Sequence, residues 1–288
     1  MSDCPLLITF ASWEQRFLDG FKRDIDEWHP AKVIMYHLDE FAEMSAPNRA
    51  EVVAECKAQG VVLINALLRV HDPAGNWKKL RDDMTAEACT GRNAVVDFST
   101  MPRETIWTLF WLLDMLKAKT NYVYHRAIGY GEWLSRDPQR PRLVYKLSGL
   151  TKLSARTVLV IIAGYDVDRI QQLVRFYDPE ITIIAQQEGS ASQRLKKLTD
   201  EFVGNSTIQW LKMDAFSPDH GEAVLLKQVK PYLDSHNIIM SSLGPKVSAV
   251  ALYRIQREHR EVGLAYAPSR DFNKDYSSGI GEAITGVL

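Results

Sequence analysis
Short runs rich in Val, Ile and Leu alternate along this chain with longer stretches whose apolar positions recur at helical spacing. Runs of the first kind read as buried strands and the second as amphipathic helices. Their alternation predicts a mostly parallel sheet with helical crossovers. Residues 5–10 (PLLITF) lead through Ala11, Ser12 and Trp13 into a helix expected to begin near Glu14. Residues 157–162 (TVLVII) lead through Ala163, Gly164, Tyr165 and Asp166 into a helix expected to begin near Val167. Each helix is expected to end near a proline, Pro30 or Pro179, and to be followed by a strand at 32–36 or 181–185. Second helices are expected at 47–59 and 192–202, third apolar stretches at 61–70 and 207–213, and mixed-charge helices at 77–88 and 221–236. Fourth strands, 94–98 and 237–240, run into similar loops and then into strongly apolar helices, 104–116 and 247–257. Fifth strands are expected at 122–124 and 263–266.

Agreement over five successive elements is the mark of an internal repeat. The expected fold class is therefore α/β, with two tandem Rossmann-like halves, 1–145 and 146–288, related by an internal pseudo-two-fold duplication. Residues 135–153 join the halves. The charged, proline-containing stretch 136–141 reads as a solvated connector, and 143–147 as an extra strand. Trp107 and Trp111, with Phe110 and Leu113, read as core.

Composition narrows the partners. At 288 residues, with 46% apolar and 25% charged positions, the chain can bury a sizeable core. A net charge of -1 argues against a surface for long nucleic acid, since proteins that neutralise many phosphates carry a basic excess. A ligand with few phosphates needs only a local pair of cations. Cys4, Cys56 and Cys89 are scattered and odd in number, which fits neither a disulfide framework nor a zinc site and points to a reducing compartment. No apolar run approaches the roughly 20 residues that span a bilayer, and no signal-like segment opens the chain. A cytoplasmic protein with no membrane contact is expected.

Candidate chemistry lies in loops. Ligands of open parallel sheets bind beyond the carboxyl ends of the strands, where strand order reverses, and the loops after the first and fourth strands flank that point. The first fourth-strand loop carries Ser99, Thr100 and Arg103, and the second carries Ser241, Ser242, Gly244 and Lys246. A helix start presents unpaired N–H groups and partial positive charge, hydroxyls add donors, and Arg or Lys supplies countercharge, so these loops suit an anion. The competing reading makes Ser99 and Ser242 helix N-caps, with Pro102 and Pro245 as first-turn residues. In the first-strand loops Trp13 and Tyr165 could stack on a base, and Arg16 and Arg169 could contact phosphate. Equally, the aromatics could cap the core and each Arg could pair with its own helix. The tail 271–281 (DFNKDYSSGIG), with Tyr276, reads as a lid or ligand-contacting loop, or as a frayed terminus.

Motifs for hard chemistry are missing. The seven histidines are dispersed, and His71-Asp72 has no second group at ligand spacing, so no metal or cofactor is expected. No P-loop, Gly-x-Ser-x-Gly elbow or Gly-x-Gly-x-x-Gly turn is present, which argues against a Walker-type nucleotidase or nicotinamide dehydrogenase.

A buried strand, a small-residue loop ending in Lys and an apolar helix resemble the CARF (CRISPR-associated Rossmann fold) pattern. Ser241-Ser242-Leu243-Gly244-Pro245-Lys246 is similar to the family's ligand loop, and Ser99-Thr100-Met101-Pro102-Arg103 is a degenerate copy. The resemblance, shared with the SAVED sensors of antiphage systems, implies binding of a cyclic oligonucleotide across a two-fold axis built within one chain. It departs from the family in lacking the paired glycines and the threonine, and in Pro245, which removes a backbone donor. It implies a nucleotide-sensing or adaptor protein of a prokaryotic defence system that binds an anion between its halves and works with a protein effector or as a homo-oligomer. Two alternatives stand beside it: a metal-independent, ring-nuclease-like enzyme, and a non-catalytic scaffold of a larger complex.

Overall fold
The computed structural model describes residues 5–87, 93–164, 166–187 and 206–288. Cys4, Cys89, Tyr165 and the helix expected at 192–202 lie outside the described residues. The chain forms two compact units: Met1–Glu132 together with Asn273–Leu288, and Trp133–Phe272.

The first unit runs β1 (Leu6–Phe10), α1 (Gln15–Trp28), β2 (Lys32–Leu38), α2 (Ala42–Ala58), β3 (Val62–Leu68), α3 (Pro73–Ala86), β4 (Asn93–Asp97), α4 (Arg103–Met115) and β5 (Lys119–Tyr130). Its sixth strand, β14 (Ser277–Val287), comes from the end of the chain. The sheet order is β14-β5-β4-β1-β2-β3, parallel except for β14, which pairs antiparallel with β5. Both faces of the strands are apolar, as burial between helical layers requires. On one face Leu7, Val33, Val95 and Val123 meet Phe17, Leu18, Phe21 and Ile25 of α1 and Val52 and Cys56 of α2. Each such apolar side chain contributes roughly 1.5–3 kcal/mol on burial. On the other face Phe98 packs its ring against Phe110 of α4 and against Tyr122 and Tyr124 of β5.

The second unit runs β6 (Ser135–Pro138), β7 (Arg142–Leu143), β8 (Thr157–Ile162), α5 (Val167–Tyr177), β9 (Ile181–Gln187), β10 (Thr207–Met213), α6 (Glu222–Val229), β11 (Asn237–Ser242), α7 (Ser248–Glu258), β12 (Gly263–Tyr266) and β13 (Ser269–Phe272). Its sheet order is β10-β9-β8-β11-β12-β7, with β7 antiparallel at the edge. Counting parallel strands in chain order, both sheets read third, second, first, fourth, fifth, then an antiparallel edge strand. The two parallel-rich, helix-flanked sheets are thus Rossmann-like and share one topology.

Several local expectations are corrected. The stretch 136–141 exposes Arg136, Asp137 and Arg140 as expected, but it is more than a connector, because residues 136–138 belong to β6, which pairs antiparallel with β13. The tail 271–281 is no frayed end, since it completes β13 and turns into β14. The extra strand is Arg142–Leu143 and stops before 144. Helix α2 begins at Ala42 and holds Pro47 in its interior, led in by a 3-10 turn over Asp39–Phe41. Helix α6 ends at Val229, where Pro231 follows in a 3-10 turn. The units also differ from a split at 145/146, because β14 returns to the first sheet and the chain crosses at Glu132. No helix among the described residues is long and apolar enough to cross a membrane.

Candidate functional site
Strand order reverses between β1 and β4 in the first unit and between β8 and β11 in the second. The four loops singled out from the sequence leave the carboxyl ends of those strands, so each unit collects its candidate residues at its own switch point.

In the first unit the β4 loop is tied down from inside. Ser99 is fully buried, and its Oγ donates to Asp97 Oδ1 (2.5 Å) and accepts from the His125 N–H (2.7 Å). Thr100 Oγ1 donates to the Phe10 carbonyl at 2.5 Å, which fastens the β4 loop to the β1 loop. Neither serine proposed as a helix N-cap is one. Helix α4 starts at Arg103 with Pro102 at its cap, α7 starts at Ser248 with Val247 at its cap, and neither has a side-chain cap. Both helices therefore reach their switch points without a capping side chain. Arg103 occupies the first turn of α4, and Lys246 immediately precedes the cap of α7.

In the second unit the loops lie backbone against backbone. The N–H groups of Leu243 and Gly244 both donate to the Ile162 carbonyl, at 2.8 and 3.0 Å. A Cβ on Gly164 would sit 1.9 Å from the Leu243 carbonyl oxygen, and one on Gly244 2.8 Å from that of Ala163. Glycine at these positions serves the approach of one loop to the other. Ser242 Oγ shares a hydrogen bond with Ser248 Oγ (2.8 Å), whereas the buried Ser241 Oγ has no hydrogen-bond partner.

The two arginines play matching parts. Arg16 donates to the His125 carbonyl (3.0 Å), to the Ser99 carbonyl (3.2 Å) and to Glu14 Oε2 (2.9 Å). Arg169 donates to the Ala267 carbonyl (3.0 Å) and to Asp166 Oδ2 (2.8 Å). Each guanidinium is buried and ties the first helix of its unit to backbone at or just beyond the fifth strand. Each acid also accepts from a serine at the start of a strand: Glu14 from Ser277 of β14, Asp166 from Ser135 of β6. Burial works against the charge of Arg16, but Glu14, Tyr124 and Tyr130 outweigh it and raise its pKa. Trp13 is half-buried, donates from Nε1 to the Lys274 carbonyl (3.1 Å) and leans on Phe41. Tyr276 is half-buried, and its carbonyl accepts from the Gly131 N–H.

Sequence reasoning missed Asn48, whose Nδ2 donates to the Ser12 and Glu14 carbonyls and holds the β1 loop. It also missed a buried cluster of Asp24, Asp97 and His125, one donor atom of each lying within 4.8 Å of the others. Burial and the Asp97 charge push the Asp24 carboxyl up to about 7. Burial alone would lower the His125 pKa, but its bond to Asp24 and the charges of both aspartates raise it. A signal was present. Thr9, Asp97 and His125 each stand two residues after an apolar residue on the α1-facing side of a strand, and Asp24 falls on the apolar stripe of α1.

No protein-family model matches this chain, and no similar protein was found among the curated ones. Among solved structures it is similar to a type III CRISPR defence DNA nuclease activated by cyclic oligoadenylate, with 10% identity and a TM-score of 0.57. The likeness covers 86% of this chain and 63% of that one, and it is a likeness of fold.

Proposed function
We propose that this chain is a sensor or adaptor of a prokaryotic antiviral defence system, and that it binds a cyclic oligonucleotide or similar anion through its switch-point loops. The observation that carries this reading is the recurrence, in both units, of a helix start without a side-chain cap beside a cation, Arg103 or Lys246. An uncapped helix start favours an anion through its N–H groups and dipole. The fold likeness to a nuclease activated by cyclic oligoadenylate supports the choice of ligand class. A near-neutral net charge suits a ligand of few phosphates.

In this reading the proposed residues divide by role. Arg16, Arg169 and Ser99 are spent on internal bonds and position the loops. Arg103 in the first unit, and Lys246 with the unpartnered hydroxyl of Ser241 in the second, face the ligand, each at its own switch point, while Thr100 and Gly244 join the residues that hold the loops and Trp13 and Tyr276 border the site of the first unit. Calorimetry against cyclic and linear oligoadenylates tests it. Arg103→Ala and Lys246→Ala should each weaken binding about tenfold or more, the value of a charge-assisted hydrogen bond. Equal binding by the parent chain and both variants would sink the proposal. Chromatography of the same mixtures decides between sensing and the ring-nuclease alternative: intact ligand favours a sensor.

A further inference from the structure
We propose that Asp24, Asp97 and His125 form a buried site for a divalent first-row transition-metal ion, which pins α1 to the carboxyl end of β4 and the middle of β5. The three residues come from three elements and are 0%, 1% and 1% exposed. One donor atom of each lies within 4.8 Å of the others, and His125 Nε2 is 2.8 Å from Asp24 Oδ1. Donors around one Zn²⁺ sit roughly 3–4 Å apart, given bonds of about 2.0–2.2 Å, so small side-chain shifts bring all three onto one ion.

Four observations point to a ligand and not to a self-contained hydrogen-bond cluster. First, Asp24 Oδ2 and His125 Nδ1 are buried and have no hydrogen-bond partner, and a buried carboxylate oxygen left so is costly. Second, Asp97 is already oriented as a metal-binding carboxylate would be: Thr9 Oγ1 donates to its Oδ2 (3.2 Å), and the Ser99 N–H (2.9 Å) and Oγ (2.5 Å) donate to its Oδ1. Third, the seat for the imidazole is built into α1, where a Cβ on Gly20 would lie 2.7 Å from His125 Cδ2. Fourth, the charges balance. The neighbouring Arg16 and Glu14 pair with each other, leaving two carboxylates and one imidazole; a divalent ion with neutral His125 makes that set neutral. One histidine with two carboxylates suits Zn²⁺ or Mn²⁺. Complete burial makes the role structural.

The test uses the full, tag-free chain, cleared of metal with a chelator and titrated with Zn²⁺ and, separately, Mn²⁺. One equivalent retained after gel filtration, with a raised melting temperature, is expected. Asp24→Asn and His125→Gln should weaken that binding at least 100-fold, and Ser99→Ala, which removes a donor behind Asp97, about tenfold. No retained metal and an unchanged melting temperature would overturn the proposal, as would undiminished binding by folded Asp24→Asn and His125→Gln. Should those variants fail to fold, Co²⁺ added to the parent chain decides. Visible d–d bands of an N/O-ligated ion support the site, and their absence rejects it.

Discussion
At the residue scale, the most informative pair is Arg16 and Arg169. Each occupies the same place in its unit, donates to backbone at or just beyond the fifth strand, and pairs with an acid at the helix start. Removing one partner of such a buried pair leaves the other charge desolvated, which costs about 3–5 kcal/mol. Arg169→Met, which keeps the apolar stem and deletes the charge, should therefore lower the urea stability of the chain by about 3 kcal/mol. Stability within 1 kcal/mol of the parent chain would mean that solvent or another cation reaches Asp166. This arrangement also marks where sequence reading stopped short. The spacing Glu14-x-Arg16 and Asp166-x-x-Arg169 was visible, and both fates of the arginines, phosphate contact or pairing at their own helix, were open on the sequence. Burial distinguishes them, and burial depends on where the fifth strand passes. The Asp24–Asp97–His125 cluster was harder to see, because its members share a site only once α1, β4 and β5 are assembled.

At the scale of elements, most strands and helices were legible because period 2 and period 3.6 are local properties. The strands at 157–162, 207–213 and 263–266 fall where the apolar runs predict them. What escaped were elements whose pairing partner is distant. Polar, glycine-containing β14 and charged β6 carry little strand signal, and they become strands by pairing with β5 and β13. Pro47 read as a helix start because proline is favoured there. Instead the helix gains its first turn upstream, where Ser45 Oγ bonds back to the Phe41 carbonyl at 2.9 Å. The β8 and β11 loops give an element-scale prediction. Gly164→Ala drives a methyl into the Leu243 carbonyl, an atom that cannot swing aside, whereas at Gly281 the nearest obstacle to a Cβ is 3.3 Å away. Overpacking of the first kind costs about 1–3 kcal/mol. Melting curves should show Gly164→Ala clearly below the parent chain and Gly281→Ala close to it; equal melts would mean that the two loops separate freely.

At the scale of the whole molecule, one topology is built twice but closed in two different ways. The second unit takes its edge strand β7 from chain that precedes its own β8. The first unit borrows β14 from the far end of the sequence, after the entire second unit has been made. Folding of the first unit therefore depends on a contact of very long sequence separation, whereas the second unit contains all of its strands between Trp133 and Phe272. A fragment of residues 133–272 should fold alone with a cooperative thermal transition. A fragment of residues 1–132 should not, because it lacks both β14, which covers the long edge of β5, and Ser277, which bonds to Glu14. The remedy follows from the sheet order. Strand β14 runs antiparallel to β5, so its end lies at the sheet margin where β1 begins, three strand spacings or about 14 Å away. A permuted chain that places residues 273–288 ahead of residues 1–132 through a flexible linker of about eight residues spans that gap. It should recover a cooperative melt that the 1–132 fragment lacks. Failure of the permuted chain, with the 133–272 fragment folding normally, would mean that the first unit draws its stability from more than its own chain.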